Sequence, residues 1–112
     1  MRARTSRRPW RAWAGLVAAP AAWASHHQLG SDLNFSDCQS GDGGVAIAIG
    51  VAALAVAVTG GWLSWSAWRT SGGPADTPGR LVASLSLMAS ALFSMVIGIQ
   101  MLAAVIVPAC FR

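Results

Sequence analysis

Two long stretches without a charged side chain limit what this chain can become. Val45 to Trp68 provides 24 uncharged residues and Leu81 to Val107 provides 27. A helix needs about 20 apolar residues to cross the hydrocarbon core of a bilayer, so each stretch is long enough to span it with some tilt. Soluble domains carry roughly a quarter of charged residues. Here the charged share is 11% and the hydrophobic share 54%, which argues against a water-soluble globule and for an all-α membrane protein.

A weaker apolar segment precedes these two. It runs from Ala12 to Leu29, about 18 residues, close to the lower limit of ~17 for a spanning helix; it is rich in Ala and interrupted by Pro20. A cleaved signal peptide is the competing reading. The start is basic, Ala22-Trp23-Ala24 before Ser25 has the small-x-small form of a cleavage site, and Thr5 to Trp10 loosely resembles a twin-arginine export signal. Against cleavage, Pro20 breaks the apolar core and His26-His27-Gln28 follows it directly. The expected architecture is three transmembrane helices, spans about 12–29, 45–68 and 81–107, behind an arginine-rich arm at 1–11.

Charge orients this arrangement. All eight basic residues are Arg, and Arg2, Arg4, Arg7, Arg8 and Arg11 fall in the first eleven positions. Segment 30–44 holds three of the four acids and no base, and its Gly, Ser, Asp and Asn content predicts a loop. The connector 69–80 is a Gly- and Pro-containing turn flanked by Arg69 and Arg80. Basic residues concentrate on the cytoplasmic side. With the N-terminus inside, seven Arg are cytoplasmic and only Arg112 is outside, so the expected topology is N-in, C-out in a bacterial inner membrane. Nucleic acid is not an expected partner, because beyond the arm the chain offers no polar face to carry recognition. Trp10, Trp13, Trp62, Trp65 and Trp68 sit where aromatic rings anchor spans at the headgroup level, which accounts for them without a cofactor.

Small residues suggest how the helices meet. Ala53, Ala57 and Gly61, and then Ser86, Ser90, Ser94 and Gly98, recur every four residues and would allow close helix approach.

Polar chemistry is concentrated at the other end of the spans. His26 and His27 are the only histidines; adjacent in a helix, they point about 100° apart. Gln100 is the one strongly polar side chain of the third span. A hydrogen bond from His26 or His27 to Gln100 would satisfy groups that are costly to leave unpaired in hydrocarbon. Cys38 and Cys110 share the outer face in this topology, and an oxidising compartment favours a disulfide between them. Such a bridge would close a loop of about 70 residues, worth on the order of 4 kcal/mol. Two free thiols are the alternative, and a metal site a further one, since imidazole and thiolate together suit copper or zinc. The spacing of His26, His27, Cys38 and Cys110 fits no compact metal motif. Haem held between two helices is disfavoured because histidines lie on one helix only. With no Glu or Lys, no nucleophile elbow and no phosphate loop, no enzyme is expected.

Ala19-Pro20-Ala21-Ala22-Trp23 followed by His26, an outer loop with the single Cys38, and a chain end of Pro108-Ala109-Cys110 resemble small multi-span proteins that accompany bacterial haem-copper cytochrome c oxidases. The resemblance covers the first span and the chain end. It implies a non-catalytic accessory or assembly subunit of a respiratory complex, partnered by the bilayer and other membrane subunits and without a cofactor of its own. The alternative expectation is a protein that handles copper or haem through His26 and His27.

Overall fold

The computed structural model describes residues 9–36, 43–70 and 77–107. They form three helices, α1 (Trp10–Ser36), α2 (Gly43–Thr70) and α3 (Thr77–Ile106), and no strand occurs among the described residues. Each helix packs against the other two. The described residues are thus all-helical but for Pro9 and Val107 at the edges, and α2 and α3 are long and apolar enough to cross a membrane.

The helices outrun their expected bounds. Segment 30–44, read as a loop, is helical as far as Ser36 and again from Gly43. Turn-forming composition is overridden there because helical backbone bonds continue and Gln28 Nε2 donates to Asp32 Oδ1 one turn on, at 3.2 Å. The connector is shortened in the same way. Thr70 Oγ1 donates to the carbonyls of Ser66 and Ala67, which closes the last turn of α2. Pro78 lies in the first turn of α3, where its missing N–H removes no helical bond. At the far end α3 stops at Ile106, since the residue before Pro108 is driven out of helical geometry. Pro20 lies inside α1; its ring denies the Leu16 carbonyl its usual helical partner.

Packing follows an alternation of three- and four-residue steps. The inward seam of α1 is Ala12, Gly15, Ala19, Ala22 and His26; that of α2 is Gly50, Ala53, Ala57, Gly60 and Ser64. On α3 it is Ala83, Ser86, Ser90, Phe93, Ile97 and Gln100, and every seam member is buried or half-buried. This is the seven-residue repeat of gently supercoiled bundles. It also corrects the expected rows of four. Four residues advance a helix about 40° beyond a full turn, so the α3 row drifts off the interface: Ser86 and Ser90 are buried, Ser94 is half-buried and Gly98 is exposed.

Hydroxyls bind the seams where side chains are smallest. Ser64 Oγ accepts the backbone N–H of Gly15 at 3.0 Å and faces the carbonyls of Arg11 and Ala12 at 3.3 and 3.4 Å. Ser86 Oγ donates to the Ala12 carbonyl at 2.5 Å, and Ser90 Oγ to the Ala57 carbonyl at 2.6 Å. These contacts place the start of α1, the end of α2 and the start of α3 together. The bundle therefore has a tryptophan–arginine end and a histidine end.

Candidate functional site at the histidine end

At the histidine end the three seams finish in one layer. His26 on α1 and Gln100 on α3 face each other, and Gly50 on α2 closes the third side. His26 Nδ1 lies 3.1 Å from Gln100 Oε1, and His27 Nδ1 lies 3.4 Å from Gln100 Nε2. One amide therefore bridges both rings, with the His26 contact the shorter.

Gln100 carries an acceptor and a donor on one amide, so a single side chain can meet both imidazoles, with the donor and acceptor roles set by the ring tautomers.

Aromatic packing fixes the rings from the other side. Trp23 stacks on His27 with centroids 5.6 Å apart and an interplanar angle of 18°, and meets Phe93 of α3 at 5.7 Å. The indole belongs to the rim of the core formed by Ala19, Ala22, Ala53, Ala57 and Ile97, along with Leu54, Phe93 and Met101. Its Nε1 is buried with no hydrogen-bond partner among the described residues.

Gly50 is the residue that lets this layer close. A Cβ there would stand 2.5 and 2.9 Å from Met101 Cγ and Sδ and 3.3 Å from His26 Nε2. The absence of a side chain at Gly50 thus lets Met101 of α3 and His26 of α1 pack directly against the α2 backbone. Neither Gly50 nor Met101 is singled out by the sequence reading, although the alternating three–four spacing leads directly to Gly50.

The remaining expected site residues divide by position. Cys38 and Cys110 lie outside the described residues, as do Arg2, Arg4, Arg7, Arg8 and Arg112. Among the described residues no three of His, Cys, Asp and Glu converge. At the opposite end Trp10, Trp13, Trp62 and Trp65 are exposed and Trp68 is half-buried. Trp65 stacks on Trp68 at 5.4 Å, the Arg80 guanidinium lies 4.7 Å from the Trp68 ring, and that of Arg11 lies 5.9 Å from Trp10. Arginines and tryptophans therefore form one girdle, with the histidine layer at the far end of the bundle. No family model, curated protein or solved structure matches the chain.

Proposed function

We propose that the protein is a three-span inner-membrane protein, N-terminus inside and C-terminus outside, that serves as a non-catalytic accessory or assembly subunit of a respiratory membrane complex. The observation that carries this reading is the outer surface of α3. Leu81, Leu85, Met88, Leu92, Met95, Ile99, Leu102 and Ile106 are all at least half exposed and follow the same three–four alternation as the inward seam. A core helix of a soluble protein would bury that stripe. Left outside, it suits lipid tails and the helices of neighbouring subunits.

Polar groups on the outside support membrane insertion. Thr59 and Ser84 donate to carbonyls one turn back, Ala55 and Arg80, at 2.7 and 3.0 Å, which satisfies hydroxyls that lipid could not. The 27 residues of α1 would reach about 40 Å at 1.5 Å per residue, enough to accompany α2 and α3 across the bilayer. Clustering of Arg11, Arg69 and Arg80 at one end favours that end as the cytoplasmic side.

The choice of a terminal cytochrome oxidase as the complex rests on the resemblance of the Ala19–Trp23 segment, His26 and the Pro108-Ala109-Cys110 end. Purification of tagged full-length protein in a mild detergent tests it. Oxidase subunits should co-purify in fixed ratio; recovery of the protein alone, or with an unrelated complex, would overturn the assignment.

A further inference from the structure

We propose that the tryptophan–arginine end of the bundle binds an anionic phospholipid, with the headgroup phosphate on the Arg80 guanidinium at the α2–α3 edge. The inference rests on the membrane reading above, and not on which complex the protein joins.

Arg80 is exposed in the first turn of α3, where a cation opposes the positive end of the helix dipole. Its position therefore does not serve the helix. The guanidinium lies 4.7 Å from the centroid of Trp68 on α2, and Trp68 in turn stacks on Trp65 at 5.4 Å. Contact with a ring holds the cation in place without supplying a hydrogen-bond acceptor. Among the described residues none accepts from this side chain, and the one described carboxylate, Asp32, lies at the histidine end bonded to Gln28. A guanidinium left in this state presents a planar fork of N–H donors that matches two oxygens of a phosphate.

The charge around Arg80 has one sign. Arg11 of α1 and Arg69 of α2 are exposed at the same end, brought together by the contact of Ser64 Oγ with the Arg11 carbonyl at 3.3 Å. Arg2, Arg4, Arg7 and Arg8 precede α1 in sequence, against the single acid Asp76 of the connector. Complementarity calls for an anion.

The surface next to the charge selects a lipid. Leu81, Leu85 and Met88 continue from Arg80 along the outside of α3 at 60, 50 and 70% exposure, and Trp62 of α2 is 69% exposed. A held cation at the head of an apolar flank matches a headgroup and its acyl chains, and basic residues at a membrane surface attract anionic headgroups. Inorganic phosphate would use the charge alone. Nucleic acid, bound through its phosphates, would leave the flank bare.

The test offers full-length protein in mild detergent equal amounts of phosphatidylglycerol and phosphatidylcholine with identical acyl chains, and counts bound lipid by native mass spectrometry. Phosphatidylglycerol should be retained at least fivefold over phosphatidylcholine. Arg80→Gln should bring that ratio below twofold. Arg69→Gln, at a position with no ring contact among the described residues, should lower it less, and Arg112→Gln, which removes the same charge from the chain end, should leave it unchanged. Helical circular dichroism checks that each variant is folded. No preference in the wild-type protein, or an Arg80→Gln variant no worse than the other two, would overturn the proposal. Displacement of the lipid by inorganic phosphate or by a single-stranded oligonucleotide would overturn it too, assigning this end to a free anion or to nucleic acid. Alkaline carbonate extraction of cell membranes tests the membrane reading separately: release of the wild-type protein would sink that reading, whereas retained protein without a lipid preference sinks this inference alone.

Discussion

Ser86 and Ala12 meet through a 2.5 Å hydrogen bond across 74 positions of sequence, the same separation that joins Gln100 to His26. A constant offset over two seven-residue repeats means that α1 and α3 run parallel in fixed register. The polar layer at the histidine end is therefore set by packing at the tryptophan end, and disturbing one should be felt at the other.

The hydroxyl contacts locate this register more than they stabilise it. Interhelical hydrogen bonds in membrane bundles average about 0.6 kcal/mol, and the Ala12 carbonyl keeps its helical partner without Ser86. Ser86→Ala should lower stability by about that amount in a detergent unfolding assay. Ser86→Leu should be far worse, at about 1–3 kcal/mol, because Ser86 is fully buried and overpacking forces the helices apart.

Glycines should divide sharply by position. A Cβ on Gly60 would stand 2.9 Å from Ala18 Cβ and 3.1 Å from the Ala14 carbonyl, neither of which can rotate away. Gly60→Ala should therefore destabilise by about 1–3 kcal/mol. Gly98 has nothing within 4 Å of its would-be Cβ, and Gly98→Ala should stabilise α3 by about 0.5–1 kcal/mol through helix propensity alone. Thermal unfolding of the two variants side by side measures the contrast; equal shifts would mean that the helices do not approach where Gly15 and Gly60 place them.

These positions show what was legible in the sequence. The uncharged runs locate α2 and α3 because helix length and hydropathy are local properties. Gln100 and the histidines stand out because polar side chains are scarce in such a chain. The interface was harder to see: rows of four captured Ala53, Ala57 and Gly61, yet carried Gly98 onto the outside. In an Ala- and Gly-rich sequence several small-residue spacings coexist, and only the crossing of three helices selects the three–four alternation. Met101 was invisible because a methionine in an apolar run looks like every other one; its significance arises from Gly50, half a chain away. Segment 30–44 reads as a loop because Gly, Asp and Asn favour turns, yet that preference yields where α1 is already propagating, as it does to Ser36.

Trp23 supplies a test of the site's own architecture. Its buried Nε1 has no partner among the described residues, and an unsatisfied buried donor costs about 1–3 kcal/mol. Trp23→Phe removes that donor while keeping an aromatic ring against His27 and Phe93, so the loss of ring area and the relief of the donor should nearly cancel. The expected change is under about 1 kcal/mol. Trp23→Ala forfeits the packing as well and should cost about 3–5 kcal/mol. If Trp23→Phe proves as damaging as Trp23→Ala, Nε1 has an acceptor and the layer is arranged differently.

Topology is open to a direct measurement at the two ends of the bundle. Asp32 and Thr70 are both exposed, and they lie beyond the histidine layer and beyond the tryptophan girdle respectively. In a Cys38→Ser, Cys110→Ser background, Asp32→Cys should react with a membrane-impermeant maleimide added to intact cells. Thr70→Cys should react only after the membrane is permeabilised. That outcome follows from the clustering of Arg11, Arg69 and Arg80, because basic residues are retained on the cytoplasmic side. The reverse labelling pattern would invert the protein and place the His26–Gln100 layer toward the cytoplasm. Labelling of both sites in intact cells would instead mean that α1 stays outside the membrane and that α2 does not separate the two ends.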